Sequence, residues 1–471
     1  MITLAKSQDL YKKYNIKKFL PDTQIGKATV KLLQECLRID TTNPPGNEIT
    51  LAKILKEKVD ALNCEYIENK IIEPVPKRGN LVITIKGKAP EDHPSWGFMA
   101  HLDVVPVEGE WEHGPFSGEI TTTEHSKYIW GRGAFDMKQM GVAFFMAMTQ
   151  LIQEGFRPKG DLKIIFEADE ERGGHKGAEL LAKDYYEEVK VDCVVTEGGG
   201  FKLPTGGDFA IQRGEKGKCQ LKVKVKGTPG HGSLPPPYKE FAIYKLVEIL
   251  EQIRTRKIEL YLDDLYYELI EALSIPKVFK FFLKKKSLIP LALSLGGRVT
   301  HVDLKRIFIP MVSDVISPTV IKSGVKENVI SREGEVILDI RTLPGHNKNY
   351  ILNYIHELIG TKLYEQLEFE EVDVIDGTTT PIDTPYYRQI EETLKEMFPD
   401  ANLVPILGTG GTDMKHMRPK GIICYGFVPM VKDPDLTYNE YMGLAHAPNE
   451  RISELNLLLA SEFSYHLMKK I

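Results

Sequence analysis

The stretch DLKIIFEADEERGG, residues 161–174, begins as a short apolar run with β-branched and aromatic members and ends in Glu167, Asp169, Glu170 and Glu171 before two glycines. An apolar run of this length reads as a buried strand, and the acidic cluster then falls at its carboxyl end. The same pattern recurs on either side. NLVITIKG (80–87), WGFMAHLDVV (96–105) and VDCVVTE (191–197) are further strand-like runs, the last two with polar residues at or near their ends. Between and before them, apolar spacings of three and four predict helices over 25–36 and 49–62, after a polar, helix-like opening, and further helices are predicted over 137–154, closed by Gly155, and near 175–183. Short apolar strands alternating with helices predict an α/β layer with a largely parallel sheet, in which ligands gather at the carboxyl ends of strands.

Near Gly214 the rhythm changes. Strand 218–227, helix 239–255, strands 318–322 and 333–341, helix 348–360 and strand 366–374 run in the order β-α-β-β-α-β, a ferredoxin-like unit. Helical periodicity and a strand return from Pro385, so residues 214–376 read as a domain inserted into a catalytic one made of 1–213 and 377–471. Residues 256–317 are extra material within the insertion, rich in apolar and Lys residues, as in IPKVFKFFLKKKSLIPLAL (275–293). They read as a helical subdomain with solvated lysines, or as a substrate wall, a dimer contact or a basic amphipathic helix at a membrane surface.

Composition bounds the function. The chain has 471 residues, 42% of them hydrophobic, 27% charged and 9% aromatic, which suits a packed soluble protein of two or three domains. With 61 Lys+Arg against 66 Asp+Glu the net charge is −5, so no overall basic field favours nucleic acid. Five scattered cysteines form no C-x-x-C pair and read as reduced thiols. No run is long and apolar enough to span a bilayer, and no signal peptide is evident, which predicts a cytoplasmic protein.

Five strings carry candidate metal ligands at strand ends or in loops: AHLD (100–103), GAFDMK (133–138), ADEERGG (168–174), TEGGG (196–200) and AHAPNE (445–450). Together they offer two histidines and several carboxylates, a mixed donor set suited to Zn²⁺ or a similar divalent ion, and a shared Asp permits two ions about 3.5–4 Å apart.

HLDVVP (101–106), GRGAFDMKQM (131–140), EADEERGG (167–174), GTPGHGS (227–233), GTGGTD (408–413) and HAPNE (446–450), in that order, make the chain resemble the M20 family of metallopeptidases and amidohydrolases along nearly its whole length. The resemblance implies a two-domain α/β protein: a zinc-exopeptidase-like catalytic domain with a mixed or parallel sheet, and an inserted α+β ferredoxin-like lid that also serves dimerisation. It implies two divalent ions, Zn²⁺ with Co²⁺ or Mn²⁺ as alternatives, one held by His101 and Glu197, the other by Glu171 and His446, with Asp136 bridging both. It further implies that Asp103 orients the His101 imidazole, that Glu170 is the general base, and that an unusual cis peptide follows Asp136. On the lid, His231 would stabilise the carbonyl oxygen, often in the partner subunit, while Arg341 and Asn328 would meet the substrate. Gly410, Gly411 and the Thr412 hydroxyl would bind its carboxylate. Met414 and Lys415 depart from the Ala-Arg often found after the glycine-rich loop. Asp169 reads as a capping or solvated carboxylate outside the site.

The expected activity is hydrolysis of an amide or peptide bond next to a carboxylate-bearing residue, by a carboxypeptidase or dipeptidase acting on short peptides. The alternatives are a deacylase of N-acyl amino acids and a catalytically silent metal-binding homologue. The long apolar insertion resembles the branch with carboxypeptidase S and long-chain N-acyl amino acid hydrolases.

Overall fold

The computed structural model describes residues 10–300 and 304–471; the first part of the expected N-terminal helix and residues 301–303 of the extra segment lie outside the described residues. A nine-stranded sheet forms the larger body. Its order is 67–75, 78–85, 162–167, 96–101, 193–196, 423–426, 208–215 and 378–379, with 402–408 pairing on 208–215. The pairings of Trp96–His101 with Leu162–Glu167 and Cys193–Thr196, of Cys193–Thr196 with Ile423–Gly426, and of Asp208–Glu215 with Asn402–Gly408 are parallel. The other pairings are antiparallel, so the sheet is mixed. Ile67–Val75 and Asp208–Glu215 were not legible as strands: the first alternates polar and apolar residues with only one position buried, and the second carries Asp208, Gln212, Arg213 and Glu215 inside the protein.

Helices Gln24–Leu37, Lys138–Gln153 and Glu454–Met468 pack beside one another against the sheet. The last two are buried around almost their full circumference, which explains why they lack a polar face. The expected strand 96–105 stops at His101. The chain then leaves the sheet, and only Val104 makes a further bridge, to Thr42.

The smaller body is a four-stranded antiparallel sheet ordered Val315–Ser323, Glu333–Thr342, Gly217–Lys226, Leu367–Ile375, the 2-3-1-4 arrangement of a ferredoxin-like unit. Helices Ala242–Thr255 and Lys348–Ile359 cover one face, against the alternating Cys219, Leu221, Val223 and Val225. The outer face is a ladder of cross-strand ion pairs such as Lys224–Glu370 at 2.6 Å and Lys218–Asp373 at 2.7 Å. The chain crosses between the two sheets at Gly217 and returns at Gly377, side by side. A Cβ at Gly217 would stand 2.6 Å from the Gly377 backbone nitrogen, so both crossings depend on the missing side chain.

The extra segment is helical, with helices Asp264–Ala272, Lys277–Leu283, Ile289–Thr300 and Leu304–Met311. Tyr266, Leu269, Ile270, Ile289 and Leu293 form a core with Val404 and Ile406 of the strand Asn402–Gly408. The segment therefore covers an edge of the larger sheet, where unpaired backbone would otherwise be exposed. No helix among the described residues is long and apolar enough to cross a membrane. All five cysteines are free, and four are buried.

Candidate active site

His101 closes the strand Trp96–His101, Glu197 follows the strand Cys193–Thr196, and Glu170 and Glu171 form a single 3-10 turn after Leu162–Glu167. Three parallel strands thus deliver their side chains to one end of the sheet. Asp136 precedes the helix Lys138–Gln153, with a cis peptide between Asp136 and Met137, as the resemblance implies. His446 arrives from a loop near the C-terminus, in the left-handed region at φ 62°.

Asp136 stands between the two imidazoles. Its Oδ1 lies 3.2 Å from Nε2 of His101 and its Oδ2 3.2 Å from Nε2 of His446. A second carboxylate approaches the same Nε2 atom of each ring: Glu197 at 3.8 Å from that of His101, and Glu171 at 3.2 Å from that of His446. Donor atoms of His101, Asp136 and Glu171, and of His101, Glu170 and Glu197, lie within 4.8 Å of one another and could hold a metal ion. The structure therefore brings together all five expected ligands and Glu170.

The electrostatics describe a site built for cations. Burial and the charge of Asp413 push the Glu170 carboxyl well above its ordinary range, and burial and Asp136 do the same to Glu197. Hydrogen bonds to Asp136 and Glu171 push the His446 imidazole up to about 10. Burial opposes the charge on His101, but its bond to Asp136 and the charges of Glu197 and Asp136 prevail and raise it. Four carboxylates gathered in one recess repel one another unless positive charge is supplied. Buried Oε1 of Glu171 has no hydrogen-bond partner, as expected of an oxygen reserved for a ligand. The residues present fit two divalent ions.

The supports of the site differ from expectation in two places. Nδ1 of His101 lies 2.9 Å from the backbone carbonyl of Asp103, while the carboxylate is 3.7 Å away. Donation to that carbonyl leaves Nε2 free to ligate. The Asp103 carboxylate instead accepts the backbone N–H groups of Glu170 at 3.1 Å and Glu171 at 3.2 Å, and the Asn43 amide at 2.8 Å. It fixes the turn that carries Glu170 and Glu171. Asp169 is not solvated but buried: it takes Asn43 at 3.0 Å and Arg78 at 2.9 Å, and Arg78 also holds Glu48. Its left-handed φ of 72° and the glycines at 173 and 174 complete the turn.

Thr412 is also already engaged. Its N–H and hydroxyl reach the Glu215 carboxylate at 2.5 and 3.0 Å, which Arg418 holds from the other side at 2.8 Å. Gly410 and Gly411 remain exposed. Lys415, where an arginine was expected, keeps a cation beside the site, 3.7 Å from Asp413. Its charge is felt by Glu170 and Glu197.

On the smaller body, Gly230–His231 pairs with Val329–Ile330, and the Gly232 N–H donates to the Asn328 carbonyl at 3.0 Å, so His231 and Asn328 sit side by side. The Ser233 N–H donates to Nδ1 of His231 at 3.2 Å, which places the ring proton on Nε2. Arg341 grips Asp339 of its own strand at 2.7 and 3.2 Å. None of these three has a hydrogen bond or ion pair to the ligand cluster among the described residues.

Arg132 and Glu450 were missed, although both lay inside quoted motifs. Glu450 accepts the N–H groups of Phe135 at 2.8 Å and Asp136 at 3.0 Å. Arg132 donates to the carbonyls of His446 and Ala447, both at 3.2 Å. His113, His175, His416 and His466 pair elsewhere, with Glu119, Glu179, the Gly173 carbonyl and Glu462.

Known proteins carry the same plan. A probable carboxypeptidase S-like protein of Dictyostelium discoideum is 27% identical over 392 residues, 78% of this chain and 70% of its own. The N-fatty-acyl-amino acid synthase/hydrolase PM20D1 of Mus musculus is 27% identical over 424 residues, 84% and 78% of the two chains. Among solved structures, an M20 family metallo-carboxypeptidase from Sulfolobus solfataricus superimposes with a TM-score of 0.69 at 18% identity, covering 94% of this chain and 98% of that one. The model of peptidase family M20/M25/M40 matches residues 97–470, from the strand that ends in His101 to the final helix, and the chain belongs to that family of metallohydrolases.

Proposed function

We propose that this protein hydrolyses an amide bond adjacent to a carboxylate-bearing residue, as a carboxypeptidase or dipeptidase. The reading rests on Asp136 facing a different histidine with each of its oxygens, beside a half-buried Glu170. His101, Glu197 and Asp136 would hold one divalent ion, and Glu171, His446 and Asp136 the other. Zinc suits this nitrogen and oxygen set, and Co²⁺ or Mn²⁺ also fit. Two such ions supply Lewis acidity and lower the pKa of water toward neutrality.

The residues of the chain do the rest. Glu170 accepts the proton of the attacking water and delivers it to the leaving amine nitrogen, a role suited to a carboxyl of raised proton affinity. Nε2–H of His231 donates to the carbonyl oxygen as negative charge develops there. The Gly410 and Gly411 backbone, Lys415 and, once released from Asp339, Arg341 receive the substrate carboxylate, with Asn328 beside His231. Residues 214–376 act as a lid on a catalytic domain of 1–213 and 377–471, closing over substrate to exclude water. The exposed edge strand Val315–Ser323, with Val320 and Ile321 outward, and the outward Ile243, Tyr244 and Val247 of the neighbouring helix suit a homodimer through the lid. Free thiols suit the cytoplasm.

The similarity to an N-fatty-acyl-amino acid hydrolase favours a second reading, a deacylase with the same machinery. Mass-spectrometric product analysis on dipeptides, tripeptides and acetyl-, succinyl- and long-chain-acyl amino acids, with metal or with chelator, separates the two. Chelator-sensitive release from peptides establishes the first, and release only from acylated amino acids the second. No turnover in any metal-loaded sample overturns both.

A further inference from the structure

Residues 277–307 carry eight Lys and Arg against a single Asp, in a chain whose net charge is −5. Basic and apolar side chains face outward together on three packed helices. On Lys277–Leu283, Val278 and Phe281 are 57% and 56% exposed. On Ile289–Thr300, Leu291, Leu295 and Val299 repeat every four residues along one face, Val299 being 78% exposed, while Ala292 and Leu293 are buried beneath. Ile307 is outward on Leu304–Met311. The helix Ile289–Thr300 contacts both of the others, so the outward residues belong to one helical cluster. The inward side chains join one core with the helix Asp264–Ala272 and Val404 and Ile406 of the larger sheet, and the outward apolar side chains contribute nothing to that core.

Scattered exposed apolar residues need no explanation, but a stripe at helical spacing set among cations does. We propose that this cluster docks on an anionic lipid surface, with Val278, Phe281, Leu291, Leu295 and Val299 entering the headgroup boundary and the basic side chains meeting lipid phosphates. Charge complementarity selects this occupant. Lys280 and Lys285 flank Phe281, and Lys285 lies 5.8 Å from its ring, in the snorkelling arrangement that suits a boundary between apolar and aqueous phases. Among the described residues, Lys284 pairs with Glu271 and Lys286 with Glu259, both partners lying outside the segment. A second copy of the same cluster would be repelled by the same charge. The proposal is independent of which amide bond the enzyme cleaves.

The test is co-sedimentation of the full-length protein with vesicles of phosphatidylglycerol and phosphatidylcholine, compared with phosphatidylcholine alone. Binding is expected on the anionic vesicles in 0.05 M salt, with loss on the neutral ones and in 0.5 M salt. Phe281→Ser with Val299→Ser should abolish it, and Lys280→Ala or Lys285→Ala should each weaken it about fivefold. Thermal melting of each variant must match the parent, and Val278→Ser with Leu295→Ser provides a second apolar pair if the first does not fold. Absence of binding by the folded parent overturns the proposal, as does binding that the folded variants leave unchanged. Light scattering that finds a dimer dispersed by the apolar variants, without vesicle binding, overturns it in favour of a second copy.

Discussion

Arg132 and Glu450, 318 residues apart in sequence, meet in an ion pair of 2.7 Å with both side chains almost wholly excluded from solvent. The pair joins two halves of the site: Glu450 holds the backbone of Phe135 and Asp136, and Arg132 holds the loop of His446. Removing one member of a buried pair leaves the other charged and unpaired, at a cost of about 3–5 kcal/mol. Glu450→Ala should therefore lower the melting temperature sharply and weaken metal binding about 10–100-fold. Calorimetric metal titration checks this, and full affinity in the variant would refute the positioning role.

Asp103 acts through the turn. Asp103→Ala removes the acceptor of two backbone N–H groups and so loosens Glu170 and Glu171 together. The expected result is a loss in both metal affinity, about 10–100-fold, and kcat. If affinity falls while kcat at saturating metal is unchanged, the hold on Glu170 is dispensable.

Glu170→Gln keeps the side-chain shape and removes the proposed base. Metal content should be unchanged and kcat should fall about 10²–10⁴-fold. Activity equal to the parent's excludes Glu170 as the proton acceptor.

His231→Ala truncates an exposed ring, so stability and metal content should be unaltered. Loss of one donor to a developing oxyanion corresponds to a fall of about 10²–10³-fold in kcat. A KM effect with intact kcat would instead assign His231 to substrate binding.

The Asp433 carboxyl, buried beside Asn456 and Asp435, is pushed up from 3.8 to about 6, chiefly by burial. Between these values the folded state binds the proton more tightly than the unfolded one. Its contribution to stability is thus fully present below pH about 4 and lost as pH rises through about 6, an effect of about 3 kcal/mol. Asp433→Asn removes that dependence, so urea unfolding of variant and parent should diverge in the variant's favour from pH 4 to pH 7. Parallel pH profiles would exclude the shift.

The sequence determined what local patterns can carry. The apolar runs before His101 and Glu167 fix two strands, and the long apolar stretch closed by Gly155 marks the helix behind Asp136. The candidate ligand set was legible through the six motifs that resemble the M20 family in family order, since a His or an acidic run taken singly is more often structural or solvated. Tertiary structure alone decided the supports. That Asp103 serves the Glu170 turn, that Glu215 occupies Thr412, that Asp169 is buried against Arg78 and that Arg341 rests on Asp339 depend on which polar groups meet after folding. A buried polar side chain must find a partner, but nothing in its own neighbourhood in sequence says which one. Asp208–Glu215 escaped notice as a strand for the same reason: Glu215 is satisfied by Thr412 and Arg418, Arg213 by the Thr380 carbonyl and Glu268, and Asp208 by Ser274 and Asn402, all of which lie 55 or more residues further along.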